Sequence, residues 1–452
     1  MRIALYVHCY YPEHFYGTES YTRTLAREMF RLGHEPVVVT ATFPGEPEQK
    51  EFIERYAIDG VPVIRLDRNA QPNTSIRDTY DLPKLETIHR QILGEIRPDI
   101  VHVCHLLNHT SALLDTTRRM GLPTVATFTD FFGFCFNNKL NAVDGSLCKG
   151  PSRSRSNCIA CCYFPADGGP SDMRHRFARA VVPPLVSTFP QLAPRTWRGA
   201  IADLKARPGH LASVYRTYAA ALTPTRFLMN SYRSSGMNVP LELSRFGIDI
   251  DRAAKPPGPD GVTRLGFVGQ LAHHKGLHLL LAALRQVGGE GFSLDIYGDE
   301  TMDPAYAAHI RSLSEGLPVA FRGTFPLERT AEVLRGMDAL VIPSTWVENS
   351  PLILLQALAT HTPVLISDVE GMSEFVEEER NGFSFAKGSV PSLADRLARF
   401  AREPGLARAM SLLTHYDRSS RDMAMDVVDF YGRTGARAAG ARKDVRDDGR
   451  RA

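Results

Sequence analysis

Ile3 to Val7 form an unbroken apolar run of strand length, and Tyr21, Leu25, Met29 and Leu32 then recur at helical spacing before Gly33 and the β-branched run Val37–Val39. This order predicts a β-α-β opening. Val61 to Leu66, Ile100 to Val103, Val125 to Phe128 and Ala219 to Leu222 read as further strands, alternating with helical patterns such as Leu85 to Leu93. Near Val262 a second series begins, with strands at Leu265 to Val268, Leu294 to Tyr297, Val319 to Phe321, Ala339 to Ile342 and Val364 to Ile366. Helical stretches around Leu277 to Leu284, Tyr306 to Leu313 and Ile353 to Leu358 separate them. Strand and helix in alternation imply parallel sheets flanked by helices, hence two α/β domains.

The expected boundaries are 1–252 for the first domain and 253–408 for the second, with the Pro/Gly/Lys-rich segment Ala253–Gly261 as linker. Residues 409–432 are expected to form a helix that packs back on the first domain. Residues 433–452 carry a net charge of +4 and leave the remainder at −1, so they read as a disordered basic tail. A body so near neutrality carries no electrostatic footprint for nucleic acid. Residues 165–215 fit neither series: prolines interrupt them, and Arg174, Arg176, Arg179, Arg195 and Arg198 interleave with Phe177, Val181, Leu185 and Phe189. They read first as a basic helical excursion on a domain face and second as a peripheral membrane contact.

The chain has 452 residues, 43% hydrophobic and 23% charged, the balance of a globular protein of more than one domain. It has no apolar run long enough to span a bilayer, and polar His8 follows the first strand too early for a signal peptide, so a cytoplasmic protein is expected. The loop after the first strand lacks G-x-G-x-x-G. Phosphate-loop, H-E-x-x-H and G-x-S-x-G patterns are also absent, which weakens dinucleotide, kinase-like, metalloprotease and hydrolase readings. Asp249 and Asp251 have the spacing that can hold a divalent cation, but they stand at a strand-to-linker junction.

The candidate chemistry lies in the second half. Gly269 and Gln270 leave a strand, and Lys275 stands just before a predicted helix, where its charge would add to the partial positive helix end and form an anion site. Glu348 precedes Asn349, Ser350, Pro351 and Leu352, with Ser350 suited to an N-cap and Pro351 to the first helical position. A carboxylate fixed there can accept hydrogen bonds from sugar hydroxyls. Taken singly, each residue also reads as an ordinary solvated helix-end charge.

Taken together, these stretches resemble the family 4 retaining glycosyltransferases, across nearly the whole chain. The resemblance rests on Gly17-Thr18-Glu19 ahead of Tyr21, Leu25 and Gly33, on Gly247-Ile248-Asp249, on Gly269 to Gly276, and on Glu348 to Ala359 followed by Thr362-Pro363 and Glu370-Gly371. It implies the GT-B architecture, two Rossmann-like parallel-sheet domains facing across a cleft. Lys275 would neutralise the donor diphosphate, Glu348 and the backbone of Asn349 to Leu352 would hold the donor sugar, and Gln356 would face the ribose. Gly17 and Thr18 would let a loop approach the phosphates and acceptor. Asp130 is the polar group at a strand end on the acceptor side, and Glu348, Lys275 and Asp130 form the implied catalytic set. Gln270, Gln356 and Thr129 stand where the family commonly has Arg, Glu and His.

Six of the seven cysteines lie between Cys104 and Cys162. Cys135, Cys148, Cys158 and Cys161, with Cys162 adjacent, offer four thiolates and a spare in the polar segment 133–163, which has little to bury. Structural zinc is the expectation, with an iron–sulfur cluster and plain or disulfide-bonded thiols as alternatives. Cys9 and Cys104 read as small core residues, and His102, His105, His109, His273 and His274 as packing or surface residues.

The sequence therefore points to a retaining glycosyltransferase that needs no catalytic metal. It would move a sugar from a nucleoside diphosphate to a glycan or lipid-linked acceptor in surface or exopolysaccharide synthesis, in the cytoplasm or at the inner membrane face. A nucleotide-sugar-binding pseudoenzyme and a sugar-nucleotide epimerase are the alternatives.

Overall fold

A computed structural model describes residues 1–47, 49, 51–164, 173–256, 261–403 and 405–448. The chain divides into two units, Met1–Arg245 with Ser420–Ala452, and Phe246–Ser419.

The first unit is an eight-stranded sheet. Its strands are β1 (Arg2–Tyr6), β2 (Glu35–Ala41), β3 (Ile53–Ile58), β4 (Val61–Leu66), β5 (Ile100–Val103), β6 (Thr124–Thr127), β7 (Ala221–Thr223) and β8 (Leu241–Leu243), in the spatial order β3-β4-β2-β1-β5-β6-β7-β8. Helices α1 (Gly17–Arg31), α2 (Leu85–Ile96) and α3 (Thr110–Met120) cross between strands. They are followed by α4 (Ser156–Tyr163), α5 (Met173–Thr188), α6 (Arg195–Val214) and α7 (Arg226–Ser234). The periodicity explains this core: Ile3, Leu5, Leu25 and Met29 are fully buried, as the apolar stripe of α1 requires against β1. The sheet is not wholly parallel as expected, because β3 pairs antiparallel with β4 at the sheet edge. Asp59 and Gly60 turn that hairpin, both at positive φ (51° and 79°).

The second unit is a six-stranded parallel sheet, β9 (Thr263–Val268), β10 (Phe292–Tyr297), β11 (Val319–Gly323), β12 (Ala339–Ile342), β13 (Val364–Ser367) and β14 (Gly382–Phe385). Its order is β11-β10-β9-β12-β13-β14, which places β9 and β12 side by side at the sheet centre. Helices α8 (Leu277–Gln286), α9 (Pro304–Ser314), α10 (Thr330–Arg335), α11 (Leu352–Ala359), α12 (Val390–Arg402) and α13 (Leu406–Leu413) belong to it.

Three expectations are corrected. The division between units falls after Arg245, before the proposed linker, part of which (257–260) lies outside the described residues. The last helix, α14, begins at Ser420 and not 409, because residues up to Ser419 stay with the second unit. It runs on to Asp448, where a disordered tail from 433 was expected; the stretch holds no proline, and its alanines and arginines favour helix. Met423, Ala424, Val427, Phe430 and Tyr431 are buried, with α14 packed on α1, and Tyr431 Oη lies 2.6 Å from His102 Nδ1. Residues 449–452 lie outside the described residues.

The segment after α4 forms two helices, and 165–172 lie outside the described residues. Pro183 and Pro184 are inside α5 and Pro208 inside α6, yet the break between Thr188 and Arg195 prevents one long helix. Val186 packs inward, whereas Phe177, Val181, Leu185, Phe189 and Leu192 are exposed.

Candidate functional site

In the second unit β9 and β12 are neighbours, so the loops that leave them meet. Gly276 follows Lys275 at φ 74°, and a Cβ there would overlap the carbonyl oxygen of Pro343 in the loop after β12. Only glycine permits this approach. Thr345 N–H donates to His274 O at 2.8 Å and ties the two loops, and the His274 ring lies 3.6 Å from that of Trp346. Gly371, at φ 84°, is equally close to the Glu348 carbonyl. These contacts seat Glu348 from both sides.

Lys275 Nζ and Glu348 Oε1 form an ion pair of 2.7 Å. The same oxygen accepts from Ser344 Oγ at 2.8 Å and Trp346 Nε1 at 3.0 Å, and the ammonium sits 5.5 Å from the Trp346 ring centroid. Burial opposes ionisation of Glu348, but the Lys275 charge and hydrogen bonds from Lys275, Ser344 and Trp346 outweigh it and hold the carboxyl below its ordinary pKa. Two expected ligand contacts are thus already in contact with each other.

Ser350 is not the N-cap predicted for it. It stands at φ 62°, Pro351 takes the cap position, and α11 starts at Leu352. The reason is local: Pro351 supplies the carbonyl to the first N–H donors, Leu354 and Leu355, and the chain reaches it only through a left-handed Ser350. The Ser350 hydroxyl and the Asn349 side-chain oxygen are both buried without a hydrogen-bond partner. Such atoms are costly unless something else satisfies them, as sugar hydroxyls can. Gln356 is half-buried on α11; Gly269 directly follows β9, its N–H donating to Tyr297 O at 3.0 Å, with Gln270 next in the same loop.

The first unit gathers a second polar group at the C-terminal ends of β1, β5 and β6. Gly17 and Thr18 open α1, and Thr18 Oγ1 donates to Thr129 Oγ1 at 2.9 Å. Asp130 Oδ2 lies 2.8 Å from His105 Nε2. Leu107 N–H points at His105 Nδ1 from 3.1 Å, which makes Nδ1 the acceptor and Nε2 the donor to Asp130. Burial opposes protonation of His105, but Asp130 raises its pKa above the ordinary value. The His8 ring centroid lies 4.1 Å from that of His105, the rings tilted at 35°, and its Nε2 is 3.2 Å from buried Glu19, which also accepts from Cys9 Sγ. Burial and the neighbouring histidines hold the His8 pKa far below normal. His105 is therefore no mere packing residue, whereas His102, His109, Cys9 and Cys104 are buried in the core as expected. The missed signal was spatial: the order β1-β5-β6 brings 8, 105 and 130 together.

Residues 15–142 match the Glycosyltransferase Family 4 model, and residues 250–412 match the model described as Glycosyl transferases group 1. The fold has solved counterparts: a glycosyltransferase from Rickettsia africae (13% identity, TM-score 0.64, 96% of this chain and 98% of that one) and Anabaena HepE in complex with UDP and glucose (13%, TM-score 0.62, 96% and 99%). The two matched stretches are thus similar to glycosyltransferase domains, and the solved counterparts share the GT-B fold of two parallel-sheet α/β units.

Among curated relatives, a glycogen synthase of Mycobacterium tuberculosis is 31% identical over 36% of this chain and 40% of its own length. The phosphatidyl-myo-inositol mannosyltransferase of Mycobacterium leprae is 24% identical over 48% of this chain and 58% of its own. WcaL of Escherichia coli, named for colanic acid biosynthesis, is 28% identical over 36% and 42%. The chain thus spans 40–58% of the length of these curated relatives.

Proposed function

We propose that this protein transfers a sugar, with retention of anomeric configuration, from a nucleoside diphosphate donor to a glycan or lipid-linked glycan acceptor. What carries the reading is the Lys275–Glu348 pair beside the buried, unpartnered polar atoms of Asn349 and Ser350. Lys275 and the N-terminal end of α8 supply positive charge for a diphosphate. Glu348, Asn349 and Ser350 accept or donate to sugar hydroxyls, and Gln356 serves the ribose as an amide. In the transfer the bond from the anomeric carbon to the diphosphate oxygen breaks, a bond to the acceptor oxygen forms, and the acceptor proton passes to the departing diphosphate. Charge stabilisation by Lys275 and helix dipoles takes the part a divalent cation plays elsewhere, so no catalytic metal enters this scheme. Asp130, oriented by His105, receives an acceptor hydroxyl on the first unit.

The exposed apolar row Phe177, Val181, Leu185, Phe189 and Leu192, beside exposed Arg195 and Arg198, supports a lipid-linked acceptor met at an anionic membrane surface on the cytoplasmic side. Among the described residues no helix is long and apolar enough to cross a membrane. The deciding experiment incubates the protein with uridine, guanosine and adenosine diphosphate sugars and follows nucleoside diphosphate release and product stereochemistry by NMR. Retained configuration, with release lowered about tenfold or more in Glu348→Gln, supports the proposal. Binding without turnover across donors and acceptors would make it a nucleotide-sugar-binding protein, and conversion of the donor sugar without an acceptor would make it an epimerase.

A further inference from the structure

The loop between β6 and α5 takes no part in the scheme above, yet it is where the thiols converge. Cys135 lies in the turn after Asp130, Cys148 beyond a short bridge between Asn141 and Leu147, and Cys158 and Cys161 one helical turn apart on α4. Three separate segments thus bring four cysteines, and not Cys162, to the wall of one small cavity. All four are unbridged, and the neighbouring polar groups are mostly asparagines: Cys135 Sγ donates to Asn137 Oδ1 at 2.9 Å, and Asn157 Nδ2 lies 3.6 Å from Cys148 Sγ. No three of these sulfurs stand within 4.8 Å of one another. A tetrahedral zinc with bonds of about 2.3 Å would hold them about 3.8 Å apart, so ligation draws the loop inward.

A second observation comes from α6. Arg207 is 2% exposed, and among the described residues no carboxylate pairs with it. One guanidinium nitrogen donates to the Phe132 carbonyl, another is buried with no partner, and the group lies 5.0 Å from the Phe132 ring centroid. The Phe132 carbonyl that it holds lies in the turn that carries Cys135, whose N–H donates to Phe131 O at 2.8 Å. A buried, unpaired cation is costly, and neutral thiols do nothing to offset it.

We infer that Cys135, Cys148, Cys158 and Cys161 bind one structural zinc ion, and that Arg207 is the counter-charge of that centre. Four thiols lose four protons on binding, so the zinc–tetrathiolate carries a net charge of −2, and the guanidinium offsets half of it. The coordination shell is closed, which leaves no position for substrate and makes the role structural. Through the Phe132 carbonyl, Arg207 links the metal centre to the turn that holds Asp130, whose Oδ1 accepts from Phe132 N–H at 2.9 Å. The inference is independent of sugar transfer.

The test uses the full chain, purified under reducing conditions without an affinity tag. Elemental analysis should give about one equivalent of zinc per chain, and near zero for the double variant Cys158→Ser, Cys161→Ser. Stripping wild-type protein with a chelator should open 133–164 to protease and expose four more thiols to titration, and added zinc sulfate should reverse both. This arm needs no variant to fold. Arg207→Met should release zinc to a competing chelator at least about tenfold faster, the scale of one lost charge-assisted contact, with Arg207→Lys closer to wild type. Less than half an equivalent of zinc, iron in its place, or thiols equally reactive before and after stripping would overturn the site. Unchanged release from Arg207→Met would overturn the counter-charge.

Discussion

Lys275 Nζ stands 2.7 Å from Glu348 Oε1, so the cation proposed for a diphosphate and the carboxylate proposed for a donor sugar offset each other's charge. On the proposed scheme a diphosphate competes with the Glu348 carboxylate for the Lys275 ammonium, so nucleoside diphosphate binding is expected to be coupled to Glu348.

Lys275→Ala removes one charge-assisted contact, worth about 1.5–3 kcal/mol, and should weaken nucleoside diphosphate binding about tenfold to a hundredfold in calorimetry. Glu348→Gln keeps the shape, removes the competitor for Lys275, and should bind free nucleoside diphosphate at least as well as wild type while transfer falls by about tenfold or more. Weakened nucleotide binding in Glu348→Gln would contradict the coupling.

The pH dependence of stability follows from the direction of the Glu348 shift. Its folded-state pKa lies below the ordinary carboxylate value, so its contribution is complete above about pH 4.3 and is lost as pH falls through the depressed value. Thermal unfolding should show wild type more stable than Glu348→Gln near neutrality, with the gap closing in acid.

For His105 the sign is opposite. Its folded-state pKa is raised, so the His105–Asp130 contribution is complete below about pH 6.5 and is lost as pH rises through the folded value. His105→Gln should therefore narrow its stability deficit in alkali. It should also lower transfer while leaving nucleoside diphosphate affinity unchanged, because both residues lie in the first unit.

Gly276→Ala places a methyl group against the Pro343 carbonyl in a left-handed backbone position. We expect a lower melting temperature and weaker donor binding, since the junction that seats Lys275 must part. Gly17→Ala, whose Cβ meets nothing within 4 Å, should leave stability nearly unchanged and serves as the control.

The alternation of apolar runs made both sheets legible, because a buried parallel strand has to be apolar on both faces. β3 escaped notice because it is half-buried, with Glu54 and Arg55 in its sequence; the Asp59-Gly60 turn was the available signal. β8 and β14 went unread because their runs are broken: β8 is half-buried around Glu242, and β14 alternates Gly382 and Ser384 with its two phenylalanines. Lys275 and Glu348 were identifiable one at a time, but their pairing depends on β9 lying beside β12, and strand order is not written in local periodicity. Asp130 was named on its own and His105 was read as packing, because their pairing just past β5 and β6 depends on the same kind of strand order. Ser350 was misassigned because N-cap preference reads side chains, whereas Pro351 takes the cap and the chain reaches it through a left-handed Ser350.

The excursion through the second unit also sets an order of events during synthesis. The polypeptide leaves the first unit at Arg245 and returns at Ser420, so the helix that covers α1 and reaches His102 is translated only after the whole second unit. On a ribosome adding about 5–20 residues per second, that surface stays bare for roughly 10 to 35 seconds after its own strands have emerged. A nascent chain in this interval presents an apolar face ready to aggregate or to engage a chaperone, and a stop codon before Ser420 would make that transient exposure permanent.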